Sequence, residues 1–297
     1  MKRNDFLARL DEGVLLFDGG IGTQLQEKGL GVGEVPEAWN LDHPDWVKEI
    51  HRGYVEVGAE VLTTNSFGGS RYKLEKAGLG DSVYQINLQA AVIARDAAEG
   101  KAWVAGSVGP TGVFLEPLGP VSTGEMKECF RLQIKALLDG GADFIIVETM
   151  SDLEEASLAV QAVRELGDFA VIGSMTFNPG KQGYRTMMGV DISSAVERLL
   201  DEGADVVGSN CGNGIEDFIP IVEEMRKVTN KPILAEANAG VPELVEGKTV
   251  FRESPEMMAL KLPQLLNAGA NIVGGCCGTT PEHIRRFAKI IEEKEAE

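Results

Sequence analysis

The sequence predicts a (β/α)8 barrel, a TIM barrel, and three observations carry that expectation. Short apolar, β-branched runs alternate with longer amphipathic stretches, the pattern of βα units around a parallel sheet, and eight such units can be counted. A recurring phrase marks the return from helix to strand: Val57-Gly58-Ala59-Glu60, Gly140-Gly141-Ala142-Asp143, Glu202-Gly203-Ala204-Asp205 and Ala268-Gly269-Ala270-Asn271. Glycine ends a helix in the left-handed conformation, and the small Ala lets the chain turn tightly into the next strand. Third, 297 residues suit one α/β barrel, so a single domain spanning 1–297 is expected. A doubly wound sheet is the alternative, but the glycine-rich dinucleotide fingerprint is missing after the first strand.

The elements follow in order. Strands are expected at 14–17, 61–65, 103–108, 144–148, 170–176, 206–210, 233–236 and 272–275. Helices are expected at 45–57, 83–98, 124–138, 153–166, 192–200, 215–228, 255–266 and 281–293. Segments 29–40 and 110–123 read as long loops of the kind that carry function on the catalytic face.

Composition narrows the function. Lys and Arg number 28 against 46 Asp and Glu, a formal net charge of −18. Such a chain is repelled by phosphate backbones and anionic lipid, so no nucleic acid and no membrane is expected as partner. Asp11 and Glu12 interrupt the N-terminus before an apolar core of a signal peptide develops, and no run of about 18 apolar residues occurs. A cytoplasmic location is expected. There are four cysteines, too few and too clustered for a disulfide framework, and such clusters in a reducing compartment point to metal or catalysis.

In a barrel of this kind the active site lies at the C-terminal ends of the strands. That rule brings Asp18, Thr64, Asn65, Glu148, Cys211, Asn238, Cys276 and Cys277 to one mouth. Cys129 falls inside a helix and reads as a packing residue. Adjacent cysteines in a regular strand would point to opposite faces, so for both to meet one ion the chain must leave the strand at Cys276. Gly274, Gly275 and Gly278 permit that turn.

Three thiolates from Cys211, Cys276 and Cys277 are a zinc ligand set with a fourth position open. Three anionic sulfurs quench the ion's Lewis acidity toward water and suit it to binding a further thiol, which zinc deprotonates near neutral pH. The expected chemistry is alkyl transfer to a thiol. Asp18-Gly19-Gly20-Ile21-Gly22-Thr23 follows the first strand, and its successive amides form a nest for a carboxylate. Asp18 and Glu148 together suit an ammonium group, so an amino-acid zwitterion fits the set. Trp39, Phe67, Phe114 and Tyr184, placed in mouth loops, are candidates for an aromatic cage around a cationic donor.

In order, Asp18 to Thr23, Thr63-Thr64-Asn65-Ser66-Phe67-Gly68, Val147-Glu148-Thr149-Met150-Ser151-Asp152, Asn210-Cys211-Gly212, Asn238-Ala239-Gly240 and Gly274-Gly275-Cys276-Cys277-Gly278-Thr279-Thr280-Pro281 resemble the motifs of homocysteine S-methyltransferases. The likeness is greatest to the homocysteine-binding module of cobalamin-dependent methionine synthase. The resemblance implies a zinc barrel in which Cys211, Cys276 and Cys277 hold the metal, homocysteine supplies the fourth sulfur, and methionine is formed. It further implies that Asp18 and Glu148 bind the substrate amino group, that the amides of Gly19 and Gly20 bind its carboxylate, and that Asn210 joins the substrate-binding set. The favoured donor is methylcobalamin on a separate corrinoid protein or module. A small sulfonium such as S-methylmethionine, betaine, or a corrinoid-linked subunit with another acceptor are the alternatives. Against the family pattern, Gly212-Asn213-Gly214 after Cys211 reads as an unusually flexible loop.

Overall fold

The computed structural model describes residues 3–31, 33–245 and 248–295. Eight parallel strands form one sheet: β1 (Leu15–Leu16), β2 (Val61–Thr63), β3 (Trp103–Val108), β4 (Phe144–Met150), β5 (Val171–Met175), β6 (Val206–Asn210), β7 (Ile233–Ala237) and β8 (Ile272–Gly275). Each pairs with its neighbour in chain order, and β8 returns to β1 with Leu15 opposite Ile272. β1 and β2 close the circle through a parallel bridge between Phe17 and Val61, where the Asp18 N–H bonds Val61 O at 3.0 Å. A doubly wound sheet would keep two open edges, whereas this sheet meets itself. The fold is the expected (β/α)8 barrel.

Side-chain alternation separates two apolar layers. Leu15, Phe17, Val61, Ala105, Phe144, Ile146, Ile172, Val206, Leu234 and Ile272 fill the barrel interior. Their sequence neighbours Leu16, Leu62, Val104, Ile145, Val147, Val171, Val207, Ile233 and Val273 face the surrounding helices. An N-terminal helix that the sequence reading did not anticipate, α1 (Arg3–Glu12), closes the lower end. Its Phe6 enters the interior cluster, 4.3 Å from the Phe144 ring and 5.5 Å from that of Trp103.

The outer ring comprises α3 (Pro44–Val55), α4 (Val83–Ala98), α5 (Thr123–Asp139), α6 (Leu153–Leu166), α7 (Ile192–Asp201), α8 (Ile215–Val228), α9 (Pro255–Ala268) and α10 (Pro281–Glu295), with a short α2 (Ile21–Glu27) after β1. Ser122 and Glu125 form a reciprocal capping box at α5, and the Asp152, Asp191 and Ser254 side chains cap α6, α7 and α9. The expected loop 29–40 contains short helical turns at Pro36–Ala38 and, continuing from it, Trp39–Asp42. The loops after β5 and β7 carry small hairpins, Asn178–Gly180 with Gly183–Arg185 and Glu243–Val245 with Lys248–Val250.

The recurring Gly-Ala phrase has a structural counterpart on the barrel floor. Arg95, Arg164 and Arg226 donate to the carbonyls of Gly141, Gly203 and Gly269. The same guanidinium groups reach Asp143, Asp205 and Asn271, two residues further along each return. Those side chains in turn accept the backbone N–H of Val104, Val171 and Ile233. Thus an arginine on one helix, the return after the next helix and the strand between them are tied at three alternate positions around the barrel.

Candidate metal centre and substrate cavity

The sheet delivers its polar residues to the upper end by the same alternation. Two residues above the apolar interior layer, the inward positions become Thr63, Ser107, Glu148, Ser174 and Glu236. Thr63, Ser107, Glu148 and Glu236 form the base of a cavity of about 340 Å3, whose walls include Asp18, Gly19, Gly20, Phe67, Thr149, Cys211, Cys276 and Cys277. That volume suits a small amino acid and a metal ion better than a large cofactor.

The Cys211, Cys276 and Cys277 sulfurs lie within 4.8 Å of one another. β8 ends at Gly275, so the two adjacent cysteines sit in the turn beyond it rather than on opposite faces of a strand. The Cys276 N–H is anchored on Ala237 O at 2.8 Å, and Cys277 O accepts from Ala239 N at 3.0 Å. Cys211 has φ 62°, a left-handed conformation that turns its sulfur off the end of β6 toward the pair, and its N–H bonds Glu236 O at 3.0 Å. Hydrogen bonds from Cys276 and Cys277 pull the Cys211 thiol down to about 3, while Cys277 is pushed up to about 12 and Cys276 is also raised. The Asn238 amide also stabilises the Cys211 thiolate, and its buried Oδ1 has no partner among the described residues. A thiolate cluster beside an orphaned amide oxygen is a donor set suited to a cation, and sulfur donors favour zinc.

Three buried carboxylates face the same space. Asp18 accepts the Thr63 N–H at 2.8 Å, yet burial raises it to about 8, with the Glu148 charge adding to the rise. Glu148 accepts from Ser107 Oγ and, at 2.9 Å, from Asn210 Nδ2. Burial lifts it to about 7 against the pull of Ser107, and the Cys211 charge contributes. Glu236 is held well above the usual carboxylate range, chiefly by burial and then by Glu148 and Asp18. Lys, Arg and His are missing from the cavity lining among the described residues. An enclosed site with this charge is complementary to cations.

Asn210 is the organiser of the upper rim. Its Oδ1 accepts from Thr149 N and Ser174 Oγ, both at 2.7 Å, while Nδ2 donates to Thr149 Oγ1 as well as to Glu148. Thr149 has φ 58°, which a β-branched residue rarely adopts, at the register shift between β4 and β5. The Asn210 amide thus holds a strained turn that aims Glu148 inward.

The Asp-Gly-Gly turn interlocks with the cysteine turn. A side chain at Gly20 would lie 2.6 Å from Cys276 O, so the close approach requires glycine. The Gly20 N–H is already bonded to Thr279 Oγ1 at 3.0 Å, whereas Gly19 N–H has no partner among the described residues. The nest expected from Gly19 and Gly20 together thus offers one free amide.

Several expected placements differ. Of the four candidate cage aromatics only Phe67 lines the cavity, and Lys73 Nζ already sits 4.6 Å from its ring centroid. Trp39 is buried against His43 and Trp46, Tyr184 bonds Asp217, and Phe114 is 55% exposed. Thr64 and Asn65 line the cavity wall beyond β2. Cys129 is buried in α5, apart from the trio, as expected. The loop expected to be flexible after Cys211 is pinned: Asn213 is buried, donates to Phe177 O at 2.7 Å, and accepts from Asn238 N at 3.0 Å. Sequence reasoning passed over Glu236 and Ser107. The alternation in Leu234-Ala235-Glu236, with Leu234 facing inward, was the available signal for Glu236.

The family model for homocysteine S-methyltransferase matches residues 15–291. Methionine synthases of Mycobacterium leprae and Mycobacterium tuberculosis are each 31% identical to this chain over 308 aligned positions, covering 97% of it. The chain spans about a quarter of the length of these curated relatives, 25% in each case. Among solved structures, the metallated form of the homocysteine methyltransferase MmuM from Escherichia coli superposes with a TM-score of 0.81 at 24% identity, covering 95% of this chain and 98% of that one.

Proposed function

Because the chain belongs to the homocysteine S-methyltransferase family, we propose that it transfers a methyl group to the thiol of L-homocysteine to give methionine. The observation that carries this reading is the meeting of three cysteine sulfurs with a carboxylate-lined cavity that has no cationic side chain among its described lining. Cys211, Cys276 and Cys277 would hold zinc, leaving one position for the substrate sulfur. A bound zinc ion supplies Lewis acidity that lets a coordinated thiol lose its proton near neutral pH.

The remaining work falls to the protein's own groups. Asp18 and Glu148 would take the substrate ammonium, and their raised affinity for protons in the free cavity is relieved when a cation arrives. The free Gly19 amide would meet the substrate carboxylate. Asn210 would act on substrate by fixing Glu148. The thiol proton would pass to solvent, and the sulfur electron pair would form the new S–C bond as the methyl-to-donor bond breaks, its electron pair staying with the donor.

For the donor we favour methylcobalamin carried by a separate corrinoid protein or module. Phe114, Leu118, Met187, Met188, Val241 and Leu244 project from loops that follow β3, β5 and β7, and all are exposed. An apolar rim on the catalytic face suits a macromolecular donor. The dispersed aromatics disfavour a cage for a small sulfonium. Three thiols that must stay reduced to bind metal suit a cytoplasmic location. Zinc-loaded protein mixed with homocysteine and, in parallel, methylcobalamin, methyltetrahydrofolate, betaine or S-methylmethionine should form methionine with methylcobalamin. Cys211→Ala should lose both zinc and activity. Retention of full zinc and full activity by that variant would refute the ligand assignment.

A further inference from the structure

We propose that Glu236 is a third carboxylate for the substrate ammonium group, completing a cup with Asp18 and Glu148. The inference rests on the homocysteine reading of the cavity and goes beyond it in naming a residue that decides between amino-acid and plain thiol substrates.

The hydrogen-bond inventory separates the three carboxylates. Both Glu148 oxygens accept from protein donors, Ser107 on one side and Asn210 on the other. Asp18 Oδ2 accepts from Thr63 N. The Glu236 carboxylate, on a residue only 5% exposed, has no hydrogen-bond or ion-pair partner among the described residues, although it lines the cavity. A buried carboxylate without a donor carries a desolvation cost that native structures tolerate where a ligand supplies the donor.

The backbone has been cleared to place it there. Gly274 is opposite Glu236 in the β8–β7 register. A side chain at Gly274 would lie 3.2 Å from Glu236 Oε1, 3.0 Å from Asp18 O and 2.8 Å from Phe17 Cβ. The missing Cβ therefore admits the Glu236 carboxylate beside the β1 end that carries Asp18. On its other side, Glu236 is opposite Asn210, the residue that holds Glu148. One position on β7 thus adjoins both groups already assigned to the ammonium. An ammonium has three N–H donors and no acceptor, which matches three convergent carboxylates better than a hydroxyl or a neutral amide does. A metal-ligand role is disfavoured because the close-set group among the described residues is the three cysteines without Glu236.

The test compares L-homocysteine with 4-sulfanylbutanoate, which keeps the thiol and carboxylate but lacks the amino group. Calorimetric titration would use the zinc-loaded chain and its Glu236→Gln and Glu236→Ala variants, the second serving if the first does not fold. The expected result is unchanged zinc content, a loss of homocysteine affinity of about 10-fold or more, and analogue affinity within about twofold of the parent. Equal loss for both ligands, loss of zinc, or no loss for homocysteine would overturn the assignment. If the parent itself bound neither thiol, the homocysteine reading would fail and take this inference with it. A parent that binds homocysteine alongside a variant that binds it equally well would sink the Glu236 assignment alone.

Discussion

At the scale of single residues, the mouth is assembled from groups whose ordinary preferences are overridden by burial. Asp18 is the clearest case, since its carboxyl is raised to about 8 from 3.8 although a backbone N–H favours its charge. Between those values the native metal-free chain binds more protons at this site than the unfolded chain. The contribution of Asp18 to stability therefore falls as pH rises through that window. Thermal melts of metal-free protein from about pH 5 to about pH 8 should show Tm declining by several degrees from this contribution, and Asp18→Asn should flatten the slope. An unchanged slope in the variant would show that Asp18 is not the group responsible. His51 runs the other way. Its ring is buried with both nitrogens unpartnered among the described residues, and burial lowers it from 6.5 to about 4, so its contribution is lost as pH falls through that range.

At the scale of elements, the two ends of the barrel divide stability from chemistry. The lower end is closed by α1, whose Phe6 packs on Trp103 and Phe144 inside the strands. Phe6→Ala would open a cavity in a region with no means of collapsing, because the strands around it are fixed by hydrogen bonds. The variant should lose about 3–5 kcal/mol in denaturant unfolding while keeping the zinc content of the parent. A loss of metal in folded variant protein would mean that the lower end reaches the mouth. The arginine ties at Gly141, Gly203 and Gly269 belong to the same end and explain why the return phrase recurs. The acid or amide after Gly-Ala is needed to receive both a guanidinium and a strand N–H.

At the scale of the whole molecule, a net charge of −18 is matched by a cavity in which carboxylates and sulfurs converge without a cationic side chain in its described lining. Self-repulsion of this kind destabilises the compact state until a cation binds. Zinc should then stabilise the native chain by mass action, by about 4 kcal/mol when its free concentration is a thousand times Kd. Chelation should lower Tm correspondingly, and added homocysteine should raise Tm in the zinc-loaded chain more than in the chelated one. Equal homocysteine shifts with and without metal would contradict a site that needs both.

Much of this was legible in the primary structure because it depends on local pattern. Short apolar runs and glycine returns specified eight βα units, and the ends of β3, β6 and β8 fell where the pattern placed them. The rule that barrel strands present their C-terminal ends at one face then collected Asp18, Glu148 and the three cysteines. What the pattern could not supply was side-chain pairing across the barrel. That Gly20's amide is spent on Thr279, that Trp39 packs away from the cavity and that Asn213 pins its loop depend on partners distant in sequence. Glu236 marks the boundary between the two. Alternation along β7 determined which way it points, and only the closed barrel decided that no donor among the described residues would meet it there, because that depends on what the other seven strands bring to the same axis.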